Sequence, residues 1–212
     1  MHRMSDDFGS LRRHAWTLPF TCAMALGAIT SLIAGQHAHM AIAIFLVISS
    51  TLPLLIERLW KVRLPTFIQV SYVGFLFLSM FSGEVLGMYS RFYPWDDIMH
   101  FISGLFVGMG AVLWLTSVVD RTKLAVSSWL LAVCVFCLGA TIAVVWEVVE
   151  FTSDRLFGTF TQRNDLFDTM TDLMLGTVSA LIVAILLDRA LRKKRSAGMD
   201  KVIAYYRHLN HP

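Results

Sequence analysis

Six apolar runs divide this chain, and each is close to the length that crosses a bilayer. A spanning helix needs roughly 17–25 mostly apolar residues. The runs fall at about residues 15–35, 40–56, 66–89, 97–119, 124–151 and 165–187, with a polar tail over 188–212. Hydrophobic residues make up 56% of the chain and charged residues 16%, against about 45–50% and about 25% in soluble domains. The expected fold is therefore an all-α membrane protein, a single polytopic domain over 1–212 with six transmembrane helices. The first run is too long for a cleaved signal peptide and reads as a retained helix.

Charge sets the expected orientation. If the chain crosses six times, both termini share one side. The N-terminal segment, the loop with Arg58, Lys61 and Arg63, the loop with Arg121 and Lys123, and the basic tail also lie there. Of the 18 Lys and Arg, only Arg91, Arg155 and Arg163 lie on the other side. Cytoplasmic loops carry the excess of Lys and Arg, so both termini are expected in the cytoplasm. The basic residues are short juxtamembrane clusters and give no support for a nucleic-acid partner.

The acids run the opposite way. WEVVEFTSD places Glu147, Glu150 and Asp154 on one helix face, and DLFDTMTD repeats the pattern with Asp165, Asp168 and Asp172. The fourth run opens WDDIMH, where Asp96 and His100 are one turn apart. At about 1.5 Å per residue, Glu84, His100 and Asp172 each stand roughly 30 Å from an arginine at the other end of their helix. They should share one layer near the outer boundary. Beneath them lie Gly104 and Gly108, Gly139 and Ala143, and Gly176 and Ala180. Small residues at this spacing let helices approach closely, so the fourth, fifth and sixth helices should pack through these faces and gather their acidic ends.

Crowded carboxylates at the edge of a low-dielectric region must take up protons or be neutralised by cations. Carboxylates joined by an imidazole suit a divalent metal, as in bundle-core carboxylate sites. The expected ligands are Asp96, His100, Glu147, Asp168 and Asp172, with Mg, Mn, Fe or Zn the fitting metals. Glu150 and Glu147 are the candidate catalytic carboxylates, Glu150 as a base left off the metal. The plainer readings are a hydrogen-bonded network without metal, and merely solvated acids, chiefly Asp97, Asp154 and Asp165. Cys134 and Cys137 form a CxxC, but at mid-bilayer depth they lack the exchange partners and thiolate character of a redox pair. Loop arginines Arg91, Arg155 and Arg163 are expected at the interface.

WDDIMHFISGL, WEVVEF and RNDLFDTMTDLMLGTVSAL together resemble the YjdF-like bacterial inner-membrane proteins. Those carry Asp-x-x-x-His, Glu-x-x-Glu and Asp-x-x-Asp-x-x-x-Asp in the same order. The likeness covers roughly residues 65–188, on Asp96, His100, Glu147, Glu150, Asp165, Asp168 and Asp172. More distantly the pattern is similar to VanZ-like proteins of the cell envelope, compared with which this chain is more acidic at Glu150 and Asp172. The resemblance implies a multi-pass protein of the bacterial cytoplasmic membrane and no established reaction.

Composition, acids and resemblance together point to an outward-facing carboxylate–histidine site. It is expected to bind a divalent cation and to act on, or hold, an envelope lipid or lipid-linked headgroup, in its enzymatic form as a metal-dependent hydrolase or transferase. The rival classes are a proton- or cation-coupled transporter and a non-catalytic membrane scaffold.

Overall fold

The computed structural model describes residues 14–157, 161–162, 165–192 and 198–210. Arg3, Arg12, Arg13, Gly158, Arg163 and the Lys193–Arg195 cluster of the sequence reading lie outside them. Every described element is helical. After a 3-10 turn at Ala15–Thr17 come α1 (Leu18–Ile33), α2 (His37–Ser49), α3 (Leu52–Trp60), α4 (Thr66–Leu76), a π-helical stretch Phe77–Val85, α5 (Met88–Arg91), α6 (Trp95–Thr122), α7 (Ser128–Phe157), α8 (Leu166–Leu191) and α9 (Met199–Asn210). Among the described residues, six helical segments are long and apolar enough to cross a membrane: Ala15–Ile33, His37–Trp60, Thr66–Val85, Trp95–Thr122, Ser128–Leu156 and Leu166–Leu191.

The other span ends move by a few residues; three departures from the sequence reading have local reasons. The second span breaks into α2 and α3 around Ser50 and Thr51, because Pro53 has no N–H to continue the ladder and suits a fresh first turn. The sixth span runs to Leu191 instead of stopping near 187, where Arg192 reaches back to Asp188 at 2.8 Å. The tail is not merely polar. Residues 199–210 form α9, with Met199, Ile203 and Tyr206 buried at i, i+4 and i+7.

The chain divides into two compact units, Met1–Trp95 with Tyr205–Pro212, and Asp96–Ala204. In the first, Met24, Ala43, Leu46, Val73 and Phe81 make the core. Gly27 lets α1 close on the Phe81 ring, since a Cβ there would lie 2.3 Å from Cε2. The π-helical stretch carries an i→i−5 bond from Leu86 N to the Phe81 carbonyl. At the other end of these helices Glu57 is buried. Its Oε1 accepts from Leu64 N at 2.7 Å and from Gln69 Nε2 at 3.1 Å. Asn210 closes the same loop by accepting from Arg63 N and donating to the Arg63 carbonyl.

In the second unit the small residues set the helix spacing. A Cβ on Gly104 would stand 2.0 Å from Ser179 Oγ and 2.4 Å from the Gly176 carbonyl, and one on Gly139 would stand 2.4 Å from the Ala180 Cβ. Gly176 meets Ala143 in the same way at 3.1 Å. Thus α6 and α7 both pack on α8 through the expected faces. Below the glycines, Val112, Val135, Val183 and Leu187 fill the core together with Met199 and Ile203 of α9. Larger side chains would hold the three helices apart and separate what their ends carry.

Candidate functional site

The acidic ends of α6, α7 and α8 meet around His100. Its Nε2 lies 3.5 Å from Asp96 Oδ1 and 3.9 Å from Asp172 Oδ2, and its Nδ1 lies 3.7 Å from Glu147 Oε1. Asp96 and His100 share a face of α6 because they are one turn apart. Asp172 reaches them because Gly104 allows α8 to touch α6 one turn further in. Glu147 arrives from α7, brought close by the Gly139–Ala180 and Ala143–Gly176 contacts. All four side chains are buried, Asp172 at 3% exposure and Glu147 at 5%.

None of these separations is a hydrogen bond. Glu147 Oε1 and Asp172 Oδ1 are fully shielded and have no hydrogen-bond partner. Buried carboxylate oxygens normally accept at least one bond, and leaving one bare costs about 1–3 kcal/mol or more. Helix ends help some of the acids but not these two. Asp96 and Asp168 sit in the first turns of α6 and α8, where the positive end of the helix dipole favours negative charge. Glu147 and Asp172 lie beyond that reach. Two sets of ligand-type atoms are close enough to hold one ion, each with all atoms within 4.8 Å: Asp96, His100 and Asp172, and His100, Glu147 and Glu150. Ligands about 2.1 Å from a common centre stand about 3–3.4 Å apart, so a cation here would draw the ring–carboxylate pairs, now 3.5–3.9 Å apart, closer by up to about 1 Å.

Asp168, the remaining expected ligand, is buried beside the cluster, near Asp172 and Glu147, but belongs to neither close set. Glu150 is half-buried and accepts from Trp146 Nε1 at 3.0 Å, one turn back on α7. Asp154 and Asp165 have local duties. Asp154 accepts from Thr161 N, Thr161 Oγ1 and Gln162 N at 2.8–3.1 Å. Asp165 caps α8 by accepting from Phe167 N at 2.9 Å. Asp97 stands outside both sets. Arg155 lies 5.3 Å over the Phe151 ring, one turn back on the same helix.

The sequence reading missed Gln162. Its Nε2 donates to Glu147 Oε2 at 3.1 Å and to the Glu147 carbonyl at 3.2 Å, so Gln162 pins the carboxylate. A glutamine fifteen residues away in a loop carries no signal in sequence. The Trp146–Glu150 hydrogen bond was missed too, although its i, i+4 spacing was a signal for it.

The fold and this cluster define a class: a multi-pass helical membrane protein with a buried carboxylate–histidine group in one three-helix unit. The chain belongs to the family described as predicted membrane protein (DUF2238), whose model matches residues 16–193. It is also similar to an uncharacterized protein of Thermotoga maritima, 26% identical over 132 residues, which are 62% of this chain and 67% of that one. No solved structure matches it. The family match accords with the YjdF-like resemblance; the VanZ-like likeness rests on the motifs alone.

Proposed function

We propose that Asp96, His100, Glu147 and Asp172 bind a divalent cation, Mg, Mn, Fe or Zn. The site would face the outside of a bacterial cytoplasmic membrane and act on, or hold, the phosphate headgroup of an envelope lipid. Both termini would then lie in the cytoplasm. The observation that carries this reading is a pair of buried, unpartnered oxygens, Glu147 Oε1 and Asp172 Oδ1, on two carboxylates that both stand within 4 Å of the same imidazole, Glu147 through that Oε1 and Asp172 through its Oδ2. Without a counter-charge both stay bare in a low-dielectric surrounding. With one, each gains the partner it lacks.

The bound ion would polarise a phosphoryl oxygen and bring water to attack at neutral pH. The chain's own groups would do the rest. His100, placed between three carboxylates, would use one ring nitrogen as ligand while a carboxylate orients the other. Glu150 stands in the close set with His100 and Glu147, and Trp146 fixes its orientation. It is placed to take the proton of an attacking water. Asp168 would add negative charge behind the ligands and Gln162 would hold Glu147 in its rotamer. In this reading the protein is a metal-dependent hydrolase or transferase.

Metal content decides the matter. Purified wild-type protein should carry close to one divalent ion per chain, and His100→Ala and Asp172→Ala should lose most of it. Near-zero metal in all three, with no uptake on dialysis against each of the four ions, would remove the proposal.

A further inference from the structure

The ligand-type atoms around His100 fall into two groups, and the imidazole is what they share. On one side Nε2 faces Asp96 Oδ1 at 3.5 Å and Asp172 Oδ2 at 3.9 Å. On the other Nδ1 faces Glu147 Oε1 at 3.7 Å, and Glu150 completes that set. The lone pairs of the two ring nitrogens point away from different edges of a rigid ring. An ion seated between Asp96 and Asp172 is therefore out of line with the nitrogen that faces Glu147.

Each side has its own unmet oxygen. Asp172 Oδ1 is the bare one in the first group and Glu147 Oε1 in the second. A cation on the Nε2 side leaves the Nδ1 side as it was. The ring N–H is a poor substitute there. It can serve one acceptor while two carboxylates converge, and 3.7 Å is too long for the bond. Among the described residues the hydrogen-bond donors to the Glu147 and Glu150 carboxylates are Gln162 and Trp146, both neutral. Neither donor offsets two like charges side by side at the edge of a low-dielectric region.

We propose a second divalent-cation position on the Nδ1 side of His100, held by Glu147 and Glu150. The inference rests on the proposed function for the first ion, which takes the Nε2 side. The second ion binds more weakly than the first. Glu150 is half-buried where Asp96 and Asp172 are buried, so water competes better for it, and the incoming ion meets a positive charge already in place. With both positions filled the ring bridges the two ions, and its last N–H proton leaves to bulk water. Glu150 is then a ligand, and its part as a base belongs to the one-ion state. On this less buried side, the second ion turns two carboxylates that repel an anionic headgroup into a centre that attracts one.

The test titrates manganese(II) into the full chain in detergent after treatment with chelator. Bound ions are counted from the loss of the free-ion signal in electron paramagnetic resonance. Wild type should take up two ions per chain in two steps, and the second should broaden the spectrum of the first through the shared ring. Glu150→Gln should keep the first ion, which also shows that it is folded, and lose the second together with the broadening. Saturation of wild type at one ion, two ions without mutual broadening, or two ions still bound by Glu150→Gln would each overturn the inference and leave the proposed function standing. No bound ion in wild type would remove both. The count and the broadening are read on wild type and decide the matter even where a variant misfolds.

Discussion

At the scale of residues, the decisive quantity is the balance between buried like charges and whatever neutralises them. Glu147→Gln and Asp172→Asn each remove a bare carboxylate. In chelator they should raise the melting temperature above wild type, because crowded carboxylates destabilise the fold that holds them. With a divalent ion in excess the order should reverse, since wild type gains about 2.7 kcal/mol at a hundredfold excess over Kd and the variants gain less. Thermal unfolding in detergent with and without metal would show this, and an order that never reverses would speak for a metal-free network. A second titration lies in the first unit. Burial pushes the pKa of His14 below its ordinary 6.5, while Gln69 and the Glu57 carboxylate pull the other way. A depressed histidine stabilises the fold in its neutral form. That contribution is fully present above 6.5 and is lost as pH falls towards the folded-state value. The melting temperature of wild type should therefore drop between about pH 7.5 and about pH 5.5, and His14→Gln should flatten that part of the profile.

At the scale of elements, close helix approach is what turns three separate acidic motifs into one cluster. Gly104→Val should be severe, because its Cβ would strike Ser179 Oγ and the backbone carbonyl of Gly176, and a carbonyl cannot move aside. A loss of about 1–3 kcal/mol or more is expected, with metal binding lost alongside stability. Gly110, one turn and a half away on the same helix, has nothing within 4 Å of where its Cβ would be. Gly110→Ala should be neutral or stabilise by about 0.4–1 kcal/mol. Equal tolerance at the two positions, read by thermal unfolding, would mean that α6 and α8 do not pack as described. The small-residue faces were legible in the sequence because their spacing matches the helical repeat. The clamp from Gln162 to Glu147 was not, because a loop's return path depends on where its helices end.

For the molecule as a whole, the proposed orientation is directly measurable. Green fluorescent protein fused after Pro212 should fluoresce, since it matures in the cytoplasm, and alkaline phosphatase at the same point should be inactive. The opposite result would turn the acidic cluster inward and end the envelope-lipid reading. The sequence alone determined that the chain is a six-span helical membrane protein, because hydrocarbon admits only long apolar helices that satisfy their own backbone. It also determined that acids collect at one end of three spans, because residues a turn apart must share a face. Tertiary structure decided which of those acids meet. Helix rotation and approach are fixed by side-chain contact, and only the packed glycines bring Asp96, Glu147 and Asp172 to one imidazole while leaving Asp154 and Asp165 to cap and tether their own loop.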